Sequence, residues 1–434
     1  MDGIIHAEWD PLKKVVIHRP DIEMFFGLLD PHSSLYERAF SREGALREHE
    51  ILENTLRKEF KIEVIRLKDA IIQAADERPD VRNKLITMAR STITHVGDTE
   101  NIEQSLKEFD RNAKYLDSAH FFNILVLNPG IEFHMKENYR NINLNILGKQ
   151  PLCNLYFMRD QQFVTDQGIV MTRMASETRR NEPIVTKFLW HDIMNLPIAH
   201  EMTSPATIEG GEFIPMGKFA LVGIGSRTNQ AAIDQLMKIP FQYEEIGVVH
   251  QPMHPLVPSD DPDPMINMHL DTYFNVPARD LVVGNELLLQ NAKVDIYHNE
   301  GNGSFVKGKK QTTLTEYIQS KGFHIIPITT LEQMSYASNF LCIKDRKILA
   351  IEVERGVRDV MANLQSKAKE DPQRYNKLLA QAKADFDKLM SEGQFFPHKK
   401  EIYEAGIDAY PIILKNLTGG YGGAHCMTCS LTRG

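Results

Sequence analysis

Apolar positions recur along the chain in short runs rich in Val and Ile: "KKVVIH", "IEVIRL", "GIVMTR", "FALVGIG", "DLVVG", "VDIYH", "FHIIPIT", "ILAIEVE" and "AYPIILK". Glycine, proline or charged turns bound many of them, and β-branched residues suit a pleated, buried surface, so these runs predict strands. Between several of them apolar residues return at helical spacing, as in "TNQAAIDQLMKI" and "KQTTLTEYIQSKG". Strands alternating with helices predict an α/β protein.

Two stretches break the alternation. Residues 69–149 carry little strand signal and several helix-like runs, among them "VRNKLITMARSTI" and "TENIEQSLKEFDR". They predict a helical subdomain inserted into a main domain made of residues 1–68 and 150–434. Residues 357–393 are more charged, with Leu378, Leu379, Ala382, Phe386, Leu389 and Met390 at helical spacing. That pattern predicts an additional helical hairpin, broken near Pro372, where the ring cannot continue a helix.

Composition bounds the function. The 434 residues are 42% hydrophobic, enough for a large core. A net charge of −8 with both signs spread along the chain argues against a nucleic-acid footprint or a basic membrane anchor. The opening "MDGIIHAEWDPLKKVVIHRP" has the layout of neither a signal nor a transit peptide, and no apolar run approaches the roughly 20 residues that span a bilayer. A cytoplasmic protein is expected. Cys153, Cys342, Cys426 and Cys429 are too few for a disulfide framework in so long a chain.

Chemically capable side chains crowd into five segments. "NLYFMRD" brings Asn154, Phe157, Arg159 and Asp160 together, either as a site or as a plain ion pair of the last two. "EGGEF" separates Glu209 from Glu212 by two glycines, which an ordinary turn also does. In "NMHLDTYF", an extended backbone puts His269 and Asp271 on one face, suited to proton transfer or to holding a cation; a core histidine satisfied by a carbonyl is the plainer reading. "SETRRNEP" and "GSRTNQ" supply Arg179, Arg180 and Arg227, and an arginine between strand and helix can fork onto a carboxylate. The C-terminal "GGYGGAHCMTCSLTRG" surrounds His425 and Cys426 with glycines, which let a ligand or another chain segment approach the backbone closely.

The CxxC formed by Cys426 and Cys429 lacks the further ligands of a zinc site and the helical context of a redox motif. A buried inert cysteine and a nucleophile remain. A nucleophilic thiol needs a nearby positive charge, from His269, His425 or a cationic substrate. With Asp160 and Asp271 to grip such a substrate, the combination suggests a thiol attacking the carbon of a guanidinium.

The ordered set "NLYFMRD", "SETR", "IEGGEF", "GSR", "MHLDT" and "GGAHCM", with the opening "LKKVVIHRP", resembles the arginine deiminases of the guanidine-modifying superfamily. The resemblance implies a five-bladed α/β propeller of ββαβ units, the pentein fold, with a helical insertion before "NLYF". It implies hydrolysis of L-arginine to L-citrulline and ammonia, with Cys426 as nucleophile and His269 as acid and then base. Asp160 and Asp271 are expected on the guanidinium nitrogens, and Glu209 positions substrate and histidine. Arg179 and Arg227, with Asn154 and Phe157 alongside, are expected at the α-carboxylate end. No metal or organic cofactor is implied, and a homo-oligomer is expected. The alternatives are an arginine dihydrolase giving ornithine, an amidinotransferase, or a deiminase of another guanidine. The chain departs from the family pattern at His425 and Tyr421, where arginines are usual, and at Glu212, where aspartate is common.

Overall fold

One pairing scheme recurs in five sheets of the computed structural model, which describes residues 3–135, 142–258, 263, 266–301 and 304–434. In each, a central strand lies antiparallel to one neighbour and parallel to the other. The first sheet joins Leu12–Ile17 to Glu63–Arg66 in parallel and to the C-terminal strand Cys429–Arg433 in antiparallel fashion. The second comprises Gln162–Thr165, Gly168–Met171 and Ile198–Glu201. The third comprises Phe213–Pro215, Phe219–Ile224 and Glu245–His250, and is widened by Lys293–Asn299 and Phe305–Thr313. Phe274–Ala278, Leu281–Asn285 and His324–Ile328 form the fourth, and Leu341–Lys344, Lys347–Ile351 and Asp408–Ile412 the fifth.

A parallel neighbour requires a crossover, and the crossovers carry the helices. In the third sheet it is Gln230–Leu236, which Asn229 caps by accepting from Ala232 N. In the fourth it includes Leu314–Ser320, started by a capping box of Thr313 and Glu316. Central strands such as Gly168–Met171 and Leu281–Asn285 are buried at every residue, as strands covered on both faces must be.

The crossover of the fifth sheet carries two long helices, Val353–Glu370 and Pro372–Glu392. Pro372 sits in the first turn of the second helix, where its missing N–H is not needed, and Asp371 caps that turn by accepting from Arg374 N. The run "ILAIEVE" ends as a strand at Ile351, and the helix begins four residues before position 357. Leu378, Ala382 and Leu389 pack with Phe340 and Ala350 of the fifth sheet, whereas Met390 faces solvent.

Residues 69–149 are not wholly helical. Helices Leu67–Glu77, Pro79–Thr92, Thr99–Asn112 and Ser118–Leu127 are accompanied by a small sheet of Thr94–Val96, Pro129–Met135 and Ile142–Gly148. Three residues of "THV" are too few for a readable alternation. The stretch has no core of its own: Ile71, Leu85, Phe121 and Leu125 share one cluster with Leu155, Met158, Ile169 and Trp190. Among the described residues, no helix is long and apolar enough to cross a membrane.

Candidate active site

The antiparallel strand that opens each module is short, and in four sheets a turn just before it carries one of the sequence-nominated polar residues. Asp160 precedes Gln162–Thr165; Glu209 and Glu212 precede Phe213–Pro215; His269 and Asp271 precede Phe274–Ala278; Cys426 precedes Cys429–Arg433. These side chains meet although they span 266 positions of sequence, and each is at most 3% exposed.

His269 is held from one side. Its Nε2 lies 2.9 Å from Glu209 Oε2, and its Nδ1 lies 3.8 Å from Asp160 Oδ1. Burial disfavours an imidazolium, but the Glu209 hydrogen bond and the charges of Asp160 and Glu209 outweigh it and raise His269 to about 9. Burial likewise opposes the Glu209 charge, yet its bond to His269 and the charges of Arg227, His269 and Arg179 pull that carboxyl down to about 2. At Glu212 burial outweighs the His269 charge and the Leu270 N–H that it accepts at 2.9 Å, and pushes the carboxyl up to about 7.

Cys426 faces the opposite way, toward carboxylates. Its Sγ is 3.5 Å from Asp271 Oδ2, which in turn lies 2.7 Å from His425 Nδ1. Burial first, then Asp271 and Asp160, push the thiol well above its ordinary value. Without another cation the sulfur therefore keeps its proton. Cys429 belongs to a different apolar cluster, with Val16 and Leu431, whereas Cys426 packs with Tyr156 and Phe157.

Among the described residues, Asp160 Oδ1, Asp271 Oδ1, His269 Nδ1 and Glu212 Oε1 are buried polar atoms of this centre without a hydrogen-bond partner. Asp160 and His269 line one cavity together with Cys426. A Cβ on Gly211 would lie 2.7 Å from His269 Nδ1 and 3.1 Å from Asp271 Oδ1, so the absence of a side chain there keeps the space open. Gly422 does the same on the other wall, where a Cβ would strike Phe157 and lie 2.9 Å from the Cys426 Cβ. Within the glycine-rich turn, the left-handed conformation falls on Tyr421, at φ 71°. The cavity is small, and its wall includes Asn154, Phe157, Arg227, Leu35 and Tyr421.

The arginines divide. Arg179 Nη1 donates to Asp160 Oδ2 at 2.9 Å, while its Nε and Nη2 fork onto Glu182 and Nη2 reaches Asn154 O. Its Nη1 also lies 3.8 Å from Glu209 Oε2. Arg227 is also in the cavity wall. Arg159 does not pair with its neighbour Asp160 but with Glu8, 3.1 Å away, and Glu8 also binds Arg433 at 2.9 Å. Burial opposes the Glu8 charge, but Arg433 and Arg159 hold its carboxyl well below the usual range. Glu8 Oε1 is 3.5 Å from His425 Nε2, which extends the chain of contacts from Asp271 to the first strand.

Asp160, Glu209 and His269 also offer donor atoms within 4.8 Å of one another, a spacing that suits a cation. A guanidinium nitrogen, Arg179 Nη1, already lies against the two carboxylates of that group.

Two residues of this centre escape a reading of the sequence. Glu8 stands alone in "HAEWD", distant from every polar segment. Asn339, in "YASNF", is fully buried before the opening strand of the fifth sheet and donates to Cys426 Sγ. Its signal is its place: it occupies in the fifth module the position that Asp160, Asp271 and Cys426 occupy in theirs.

Comparison with known proteins shows the family. The family model described as arginine deiminase matches residues 33–433. An arginine deiminase from Halobacterium salinarum is 26% identical, over 98% of this chain and 96% of its own. Arginine deiminase 1 of Staphylococcus epidermidis is 26% identical over 78% of this chain and 86% of its own. Among solved structures, the N-terminal domain of ArgZ bound covalently to a reaction intermediate aligns over 97% of this chain and 98% of its own, with a TM-score of 0.50 at 12% identity, a likeness of fold. The chain belongs to the arginine deiminase family.

Proposed function

We propose that the protein hydrolyses the guanidinium group of L-arginine to L-citrulline and ammonia through a covalent intermediate on Cys426. The observation that carries this reading is the pair of partnerless carboxylate oxygens, Asp160 Oδ1 and Asp271 Oδ1, beside a thiol and a partnerless imidazole nitrogen. Buried acceptors without donors are costly, and a planar cation bearing N–H groups satisfies them. Membership of the arginine deiminase family supports the same substrate.

The chemistry follows from the charges. Substrate places a second cation beside Sγ, which offsets Asp271 and Asp160 and releases the thiol proton to solvent. Thiolate attack on Cζ forms the S–C bond. The His269 imidazolium gives its Nδ1 proton to the departing nitrogen, the C–N bond breaks, and ammonia leaves a thiouronium cation on Cys426. Neutral His269 then takes a proton from water as the water oxygen bonds Cζ. Collapse breaks the S–C bond, restores the thiolate and releases citrulline, whose surplus proton passes to ammonia. Glu209 keeps His269 protonated and aimed. Arg227 and Arg179 take the α-carboxylate, with Asn154 and Phe157 alongside; Glu182 and Asp160 orient Arg179.

The five repeated sheets are read as the blades of a five-bladed α/β propeller, closed by the C-terminal strand on the first and filled at its centre by one turn from each blade. Residues 1–68 and 150–434 are then the catalytic domain, 69–149 an insertion that leans on it, and 357–393 the greater part of a hairpin within it. A cytoplasmic homo-oligomer that binds a free amino acid and not nucleic acid fits the acidic net charge. Incubation of the purified protein with arginine tests the activity. Citrulline and ammonium in equal amounts are expected; ornithine without citrulline, or no turnover, would overturn it.

A further inference from the structure

Asn339 is fully buried and makes contacts to both halves of the centre. Its Oδ1 accepts from Gly423 N at 2.8 Å and Cys426 N at 3.1 Å. Its Nδ2 donates to Asp271 O at 3.2 Å and to Cys426 Sγ at 3.1 Å, and its backbone carbonyl accepts from His425 N. The orientation of the carboxamide is forced. Turned over, its NH2 would face two backbone N–H groups, and its oxygen would face a carbonyl and a sulfur. Gly423 permits the approach, since a Cβ there would stand 2.9 Å from the Asn339 carbonyl oxygen.

We infer that Asn339 is the uncharged hydrogen-bond donor that holds the Cys426 thiolate, and that the same carboxamide fixes the turn carrying the sulfur. The groups facing Sγ explain why a donor is needed. Asp271 and Asp160 repel negative charge, and Tyr156 and Tyr336 supply no cation. His425 is bonded to Asp271 through Nδ1, and His269 is bonded to Glu209. Neutral Cys426 gives its S–H to Asp271 and accepts from Asn339; when the proton leaves, the Asn339 N–H stays in place and the bond becomes charge-assisted. No rearrangement is required at the moment of attack. Burial of the thiol, its repulsion by the carboxylates and the opposing effect of Asn339 all agree with that assignment. The inference rests on the reading above only in taking Cys426 as the nucleophile.

The test measures the thiol directly. Iodoacetamide alkylation of Cys426 in the full chain, followed by mass spectrometry of its peptide across pH, gives the midpoint at which thiolate forms. Asn339→Asp keeps the acceptor for Gly423 and Cys426 and removes the amide donor. Loss of a donor to a charged group raises the midpoint by about one to two pH units, so alkylation at pH near 7.5 slows by roughly 10- to 100-fold. Turnover should fall chiefly in kcat, with KM for arginine little changed. Asn339→Ser, which can restore part of a donor, should lie between; it serves alone, by the same criterion, if the aspartate variant does not fold. A folded variant whose alkylation midpoint matches wild type overturns the inference, whatever its thermal stability. Because alkylation needs no arginine, an inactive protein with a shifted midpoint contradicts the proposed reaction and not the role of Asn339.

Discussion

Nε2 of His269 lies 2.9 Å from Oε2 of Glu209, while its Nδ1 meets the cavity without a partner. The contact fixes the ring, keeps its second nitrogen aimed at substrate, and sets the pH range in which that nitrogen carries a proton. Several expected outcomes depend on it.

Activity needs the imidazolium, so the rate should be lost as pH rises through the folded value of about 9. Glu209→Gln removes both the hydrogen bond and the charge, and the alkaline limb should move down toward the ordinary histidine value. At pH 7.5 the loss is on the order of 10- to 100-fold. A kcat profile from pH 5 to 10 checks it; an unmoved alkaline limb contradicts the assignment.

The same pair contributes to stability with a definite sign. His269 is raised above its ordinary 6.5, so its contribution is full below that value and disappears as pH rises through about 9. Glu209 is depressed to about 2, so its contribution is present above 4.5 and disappears as pH falls through about 2. The urea midpoint of wild type should exceed that of Glu209→Gln most at about pH 5 to 6, with the gap narrowing toward higher pH.

If Arg227 takes the substrate carboxylate, truncation should separate arginine from its decarboxylated analogue. Arg227→Ala should raise KM for arginine by about 10- to 100-fold, the worth of a charge-assisted pair. Turnover of the decarboxylated analogue, agmatine, should change little. Steady-state kinetics on both compounds decides it; equal losses on the two would assign Arg227 to the reacting centre.

A single methyl group should disturb the centre from Gly211. Its Cβ would stand 2.7 Å from His269 Nδ1, closer than real contacts allow, so Gly211→Ala must displace the imidazole. A fall in kcat of roughly 100-fold or more is expected, because a misplacement of about 1 Å at a reacting group has that effect. Thermal unfolding, measured alongside, should show a folded protein.

Away from the site, Glu332 has 0% exposure and accepts from Phe396 N at 3.0 Å, Thr329 N at 2.8 Å and Lys399 Nζ at 3.1 Å. Glu332→Ala leaves Lys399 and two N–H groups without their acceptor, and should cost about 3 to 5 kcal/mol in urea unfolding. The pH profile of the fraction that remains folded should not change.

The strands legible in the sequence are those with long Val/Ile runs, such as Gly168–Met171, Phe219–Ile224 and Leu281–Asn285. The opening strands Gln162–Thr165, Phe213–Pro215, Phe274–Ala278, Leu341–Lys344 and Cys429–Arg433 were not legible. They are short, and each runs on from the polar turn that serves the centre, so the chemistry masks the alternation. The repeat is equally hidden, because the modules share a pairing scheme and not side chains. His269, Glu209, Asp160, Asp271 and Cys426 stand out as charged or nucleophilic groups in short polar segments, with glycines beside Glu209 and Cys426. Asn339 and Glu8 do not, since an amide in "YASNF" and one carboxylate in "HAEWD" acquire meaning only when the sheets bring them to the centre. Arg159 pairs with Glu8 and not with its neighbour in the chain.

The central claim is a covalent bond between Cys426 and the guanidinium carbon of arginine. Acid quenching of the protein during turnover, followed by mass spectrometry of its peptides, tests it most directly. The account predicts an adduct on Cys426 with the mass of arginine less ammonia, absent from Cys426→Ser. Citrulline formed with no adduct under any quench, or an adduct on Cys429 in place of Cys426, would contradict it.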